Sequence, residues 1–354
     1  MREVTKRDYS GQNIYAGIDV HKKSWTVTIL TEQIEHKQFT QPPSAQHLSN
    51  YLHRVFPGAG YQVAYEAGFS GFGVHDEFKV LGIDCTLVHP GDVPTTDKER
   101  RHKSDSGDSR KIGRELRNGD LEAIYIPSKQ NREDRGLVRQ RKTTVKEVGR
   151  CKNRIKSHLA FLSIKIPPEF EGKYWSGYFL NWLDGLTFSE STGKAKLESL
   201  LRQLRFQRSE LALLDRQLRK LSHLPVYADS MGYLISIPGI GRLSAIIWLT
   251  ELEDIQRFKT LDKLCSYVGL VPWQRSSGET EHTGGLDHRG NKVLRTLVIE
   301  NAWVAVRKDP DLMATYHDLT KRMKGQQAII RIARKLLNRI RYVLKNECEY
   351  KIPE

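Results

Sequence analysis

The stretch GIDVHKKSWTVTIL, residues 17–30, sets the architecture of the chain. It lies within two β-rich runs, Ile14 to Val20 and Ser24 to Leu30, joined by the short polar link HKK. IEHKQFT downstream supplies a third strand of the same meander. One residue breaks the apolar pattern. Asp19 sits inside the first run, where a carboxylate without partners is costly unless it meets a cation or hydrogen-bond donors; the plainer explanation is a turn residue at a strand end.

After the meander comes a helical stretch from Ala45 to Val55, then YQVAYEA as a buried strand, a helical pattern from Val74 to Leu81, and IDCTLV as another strand. A polar loop leads to DSRKIGRELRNGD, which reads as a helix stopping at Gly119. The order is βββαβαβα. Three antiparallel strands followed by alternating units form the pattern of the ribonuclease H-like fold, a mixed sheet with helices on both faces. The expected class is α/β plus α: this domain over residues 1–122, a coiled-coil helical region over 123–228, and a mainly α domain over 229–354.

With 354 residues and 38% hydrophobic content, the chain can build real cores in two or three domains. Lys and Arg outnumber Asp and Glu by 57 to 42, a formal charge of +15, which points to a polyanionic partner, nucleic acid first. No apolar run approaches the roughly 20 residues that span a bilayer. MREVTKRDYSGQN lacks a signal-peptide core, so the expected location is the cytoplasm. The four cysteines, Cys85, Cys151, Cys265 and Cys348, form no C-x-x-C pair and read as reduced structural thiols.

From Asn131 to Ile164 the chain is basic and almost free of Gly and Pro, and residues 196–224 carry a leucine stripe at helical spacing. The two are expected to pair as an antiparallel coiled coil, either an ordinary helical hairpin or a dimerisation arm. The aromatic-rich stretch between them, residues 166–192, has no role that its sequence reveals. Further on, Pro238-Gly239-Ile240-Gly241 forms a tight turn between apolar helical stretches, the pattern of a helix-hairpin-helix. Backbone N–H groups near Gly239 and Gly241 could then bind phosphate, unless the turn is purely structural. The terminal helix QQAIIRIARKLLNRIRYVLKN is basic, either to meet nucleic acid or simply as a packed helix with solvated charges.

Metal-assisted phosphoryl chemistry needs several converging carboxylates, because two divalent ions about 4 Å apart must be held while the attacking and leaving oxygens stay accessible. Asp19 supplies one and Glu66, closing the buried strand, another. Asp105 and Asp108, spaced i and i+3, share a face of the following helix. Each has a bland reading alone, as a turn residue, a helix-start acid or a cap. The first strand and the strand ending at Glu66 are expected to be neighbours with the helix start laid across them, so that four carboxylates converge.

GIDVHKKSWTVTIL, YEAGFSGFG and KSDSGDSRKI resemble the D, E, D-x-x-D set of the RuvC-like DEDD transposases of bacterial insertion sequences, relatives of the Piv DNA invertases. The family's last motif has the form K-T-D-x-x-D-A, and here Ser104 and Ser109 replace the Thr and Ala. Residues 267–295, YVGLVPWQRSSGETEHTGGLDHRGNKVLR, are similar to the family's Y-x-G-L-x-P, Ser-Gly and G-N-x-x-L-R segments in that order. By composition the serines are ordinary loop hydroxyls.

The resemblance implies that Ser277, with Ser276 as the less favoured neighbour, attacks DNA phosphate, and that Mg²⁺ or Mn²⁺, two ions, binds at Asp19, Glu66, Asp105 and Asp108. It further implies a homodimer assembling into a homotetramer, the carboxylates of one subunit completed by the serine of another. A noncoding bridge RNA is expected to pair with donor and target double-stranded DNA. Arg289, Lys292 and Arg295 are candidates for phosphate contacts, or merely a basic helix face. The rival enzyme reading is a RuvC-like structure-selective nuclease in which Ser277 is structural. A protein that only binds nucleic acid would leave Asp19 and Glu66 unexplained.

Overall fold

The computed structural model describes residues 8–96, 104–170, 172, 174–277, 280–286 and 289–351, with residues 273–284 described through their backbone. The chain divides into two compact units, Met1–Ile126 and Pro127–Glu354. Among the described residues no helix is long and apolar enough to cross a membrane.

In the first unit β1 (Asn13–Val20), β2 (Trp25–Leu30), β3 (Glu35–Gln41), β4 (Gly60–Glu66) and β5 (Asp84–Val88) form one mixed sheet in the order β3-β2-β1-β4-β5. The meander is antiparallel, whereas β4 pairs with β1, and β5 with β4, in parallel. The expected neighbours, β1 and the strand ending at Glu66, are therefore hydrogen-bonded. Successive side chains point to opposite faces. Ile14, Ala16, Ile18, Val63 and Tyr65 enter one core together with residues of α1 (Ala45–Val55) and α2 (Gly73–Val80). Tyr15 and Ala64 face the other way, onto Ile112 and Leu116 of α3 (Asp105–Asn118). Asp19 and Glu66, alternating with the first set, belong on the α3 face at the C-terminal ends of adjacent parallel strands.

Two glycines bring α3 down onto β1. A Cβ on Gly17 would lie 2.1 Å from the Ser109 carbonyl oxygen and 2.2 Å from the Gly113 nitrogen, so helix and strand meet backbone to backbone. Ser109, fully buried, shares a 2.9 Å hydrogen bond with Thr28 of β2, and the Gln38 amide donates to Thr28 Oγ1 and to the Ser106 carbonyl, each at 2.7 Å. The helix begins at Asp105, three residues before the expected start at 108. Ser104 is its N-cap, its Oγ accepting from the Gly107 amide at 3.1 Å, and Gly119 ends it in the left-handed region with φ 78°.

In the second unit α4 (Lys129–Phe161) and α6 (Ser191–Leu221) pair along much of their length. Val138 packs with Leu218 and Leu221 in one core, whereas Ile155 and Leu159 pack with Leu197 and Leu201 in another, so the two helices run antiparallel. The aromatic-rich stretch closes the far end: Phe170, with Phe179 and Leu183 of α5 (Gly177–Asp184), fills the core between them. The remaining helices, α7 (Pro225–Ile235), α8 (Arg242–Leu252), α9 (Leu261–Val268), α10 (Lys292–Ala305), α11 (Pro310–Thr320) and α12 (Gly325–Asn346), share one core. The basic α12 buries Ile329, Ile332, Leu336, Leu337 and Ile340, as the packed-helix reading requires. In the 238–241 turn Gly239 has φ +98°, and a Cβ there would come within 2.7 Å of the Asn301 carbonyl.

The stretch around Ser277, expected as a loop, is largely a hairpin: β6 (Pro272–Ser277) pairs antiparallel with β7 (Thr280–Leu286). The ladder runs from Pro272 opposite Leu286 to Ser277 opposite Thr280.

The Gly17–Gly113 contact has a direct test. Gly17→Ala should lower stability by about 3 kcal/mol, the upper range for overpacking a close contact. Gly73→Ala, whose Cβ would meet nothing within 4 Å, should change it by less than about 0.5 kcal/mol. Denaturant melts of the full chain check both, and equal melts would refute the backbone contact.

Candidate active site

The four acids meet at the C-terminal edge of the sheet, in two pairs, each around a basic side chain. His21, just beyond β1, places Nε2 3.1 Å from Asp19 Oδ2 and 3.6 Å from Asp105 Oδ2. Lys111, one turn along α3, places Nζ 3.3 Å from Glu66 Oε1 and 3.4 Å from Asp108 Oδ1. His21 is half exposed, whereas Lys111 is buried at 7% exposure. Because Ser104 caps α3, neither Asp105 nor Asp108 is used as its cap, and both carboxylates project from the first turn.

Burial pushes the Asp19 carboxyl above its usual range; His21 pulls it down by charge and hydrogen bond, and the Asp105 and Asp108 charges push it up again. A carboxylate crowded by two others and partly withdrawn from water is an acceptor in need of a cation. Asp19, His21 and Asp105 bring one ligand atom each within 4.8 Å of one another. Two carboxylate oxygens and a ring nitrogen at that spacing suit a divalent ion. The residues thus fit the metal that a carboxylate set of this kind implies.

His21 and Lys111 are the site residues that sequence reasoning missed. His21 is two residues from Asp19 in the link HKK, and Lys111 follows Asp108 at i+3; both signals were present but ordinary. The basic residues 101–103 beside Asp105 lie outside the described residues.

The second unit carries the serines. Ser276 and Ser277 end β6, in register with Glu281 and Thr280 of β7. The root of this hairpin is built from the two glycine motifs, since a Cβ on Gly290 would lie 2.3 Å from the Gly269 Cα. Asn291 caps α10, accepting from the Val293 and Leu294 amides, while its own N–H donates to the Tyr267 carbonyl at 2.7 Å. Its side-chain amide donates to Glu251 at 2.9 Å. Glu251, fully buried on α8, receives Arg139 of α4 in a bidentate pair at 2.8 and 2.9 Å. Burial works to raise the Glu251 carboxyl, but Arg139, Asn291 and the charge of Arg135 outweigh it and hold it below its usual range.

Of the candidate phosphate contacts, Lys292 and Arg289 are exposed. Arg295 is half-buried, its guanidinium where a Cβ on Gly269 would stand. Gly241 is the exposed N-cap of α8, without a side-chain cap, and Arg242 beside it is exposed.

Comparison with known families matches both regions in the same chain order. A DEDD transposase model of the IS110 type matches residues 16–164, and the Transposase IS116/IS110/IS902 family matches residues 231–317. The chain belongs to the IS110-type family of insertion-sequence transposases. Such transposases are enzymes that cleave and join DNA. Among its relatives, the transposase for insertion sequence element IS1533 of Leptospira borgpetersenii is 24% identical over 90% of this chain and 92% of its own length. A putative transposase of Sinorhizobium fredii, y4qE, is 28% identical over 68% of this chain, which spans 57% of that relative's length. The transposase for element IS1111A of Coxiella burnetii is 43% identical over 20% of each chain. The DEDD match includes all four acids, and the second match includes Gly239, Gly241, Ser277 and Arg295.

Two outcomes follow for this IS110-type chain. Because the folded Asp19 carboxyl is raised, its ionisation opposes folding: its favourable contribution is complete below the unfolded value and is lost as pH rises through the folded one. Asp19→Asn should therefore melt no lower than the native chain in chelator at neutral pH, yet lose most of the melting-temperature gain that Mn²⁺ confers on the native chain. An undiminished gain would remove Asp19 from the metal site. Glu251, held low, contributes above its unfolded value and loses that contribution as pH falls through the folded one. Glu251→Gln should cost on the order of 2 kcal/mol at pH 7, with the deficit shrinking in acid. A deficit independent of pH would contradict the ion pair.

Proposed function

We propose that this transposase exchanges DNA strands through a covalent phosphoserine link, with Asp19, Glu66, Asp105 and Asp108 serving phosphoryl transfer and Ser277 as the nucleophile. The observation that carries the reading is the convergence of Asp19, Asp105 and Asp108 at one sheet edge, where Asp19 is raised by burial and by its acidic neighbours. Residues 1–122 would form the carboxylate domain and 229–354 the serine domain. Mg²⁺ or Mn²⁺ bound at the acids would stabilise charge on the transferring phosphoryl oxygens.

In the proposed step the Ser277 Oγ–P bond forms as a P–O bond to deoxyribose breaks. The serine proton passes to a carboxylate or water, and the released deoxyribose oxygen takes up a proton. The number of phosphate ester bonds is unchanged, so the reverse attack by another strand's hydroxyl rejoins DNA without ATP. The exposed N-terminus of α8 at Gly241, beside Gly239 and Arg242, offers backbone N–H groups to DNA phosphate. Arg289, Lys292 and Arg295 would add contacts near the serine hairpin. The resemblance adds assembly of dimers into a tetramer, with serine and carboxylates supplied by different subunits, and a bridge RNA that selects donor and target. The net charge of +15 is consistent with both polyanions.

Incubating the full chain with Mg²⁺, DNA carrying the element's ends and the RNA encoded beside its gene should yield a denaturant-resistant protein–DNA adduct that releases phosphoserine on acid hydrolysis. Ser277→Ala should reduce the adduct and strand exchange by roughly 10³-fold or more, the scale on which loss of a nucleophile acts. Ser276→Ala should retain both. DNA cleavage at the native rate by Ser277→Ala would overturn the covalent step and favour the nuclease.

A further inference from the structure

Four carboxylates in one cluster suggest room for two divalent ions, but the two pairs are not equivalent. Each surrounds one nitrogen cation or potential cation, and the two nitrogens differ in their freedom to leave. His21 is half exposed on a turn and can swing into solvent or turn a ring nitrogen toward an ion without disturbing the core. Lys111 is buried at 7% exposure on α3, which the Gly17–Gly113 contact fixes against β1. Its ammonium stands between Glu66 Oε1 and Asp108 Oδ1, at 3.3 and 3.4 Å. Withdrawing it would strip an ammonium of both acceptors, a costly change for a buried ion.

We propose that Lys111 is a resident cation that fills the Glu66–Asp108 side of the acidic cluster, so that the chain holds a single divalent ion, on the Asp19–Asp105 side. This deepens the metal reading proposed above and rests on it. Lys111 acts as a positioning residue: it neutralises part of the charge of Glu66 and Asp108 and fixes their oxygens, while the Asp19–Asp105 pair, whose nitrogen can move aside, is left to take the ion. An ion entering between Glu66 and Asp108 would meet a like charge at ion-pair distance, and that repulsion disfavours occupancy. The arrangement differs from a symmetric pair of ions, in which both positions would be lined by carboxylate oxygens alone.

The test is a count of Mn²⁺ bound to the full chain, by equilibrium dialysis with electron paramagnetic resonance of the free ion. The native chain should hold one tight ion, and Lys111→Arg should also hold one. Lys111→Met should gain a second, its affinity raised at least tenfold over any second-site binding by the native chain. Asp105→Asn should weaken the single ion at least tenfold. Circular dichroism in chelator shows whether each variant is folded, and if Lys111→Met is not, the native count decides. Two tight ions on the native chain, or one ion on a folded Lys111→Met, would overturn the role of Lys111 while leaving the metal reading intact. No bound ion on the native chain would overturn both.

Discussion

The first unit depends on one contact, the meeting of α3 and β1 at Gly17 and Gly113. A side chain at position 17 would collide with the backbone of α3 and push the helix, with its first-turn aspartates, away from β1. With a hydrogen in place of a Cβ on each partner, the helix backbone reaches the strand backbone. Ser109 and Thr28 share a buried hydrogen bond beside the contact, and Gln38 ties the first helical turn to β2. These polar links fix rotation as well as distance. Position 109, where the family motif has Ala, can be Ser because Thr28 is there to pair with it.

From that geometry follows the charge pattern. Parallel pairing puts the ends of β1 and β4 side by side, with side chains of like parity on one face, so Asp19 and Glu66 face α3 together. Ser104 takes up the Gly107 amide as the cap, so the acids at 105 and 108 remain available for cations while the helix dipole favours their charge. Burial raises the Asp19 carboxyl and the Asp105 and Asp108 charges add to it, with His21 opposing them, while Lys111 compensates Glu66 and Asp108. The site is thus a cluster of negative charge held by rigid backbone, with its compensation divided between one movable and one fixed group.

Much of this was legible in the residues. The meander, the helix over Ala45–Val55 and the stop at Gly119 are local, set by periodicity and by one glycine in the left-handed region. The D, E, D-x-x-D order could be read because the acids interrupt apolar or capping patterns. Lys111 could not be singled out, since a lysine on a basic helix is ordinary until a strand 45 residues earlier puts Glu66 beside it. The hairpin at Ser277 escaped because Gln, Ser, Glu and Gly carry no strand signal, and its ladder is a property of pairing rather than of either segment. The aromatic run of residues 166–192 likewise acquires its role only from the helix ends that Phe170 and Phe179 cover.

The second unit solves a similar problem with an ion pair in place of glycines alone. Glu251 interrupts the apolar run IIWLTEL, a signal of the same kind as Asp19, but here the partners are complete: Arg139 takes both oxygens and Asn291 adds a donor. A buried carboxylate so satisfied is held below its usual range, whereas burial leaves that of Asp19, with His21 as its partner, above it. The two acids differ in their surroundings: Glu251 has charged and polar partners that outweigh its burial, and at Asp19 burial prevails. Glu251 fixes the N-cap of α10 beside Gly290, at the root of the hairpin that ends in Ser277, so that this strand is anchored at its base. Charge that is fully paired at Glu251 fixes a helix end, whereas Asp19 and Asp105 share one half-exposed histidine.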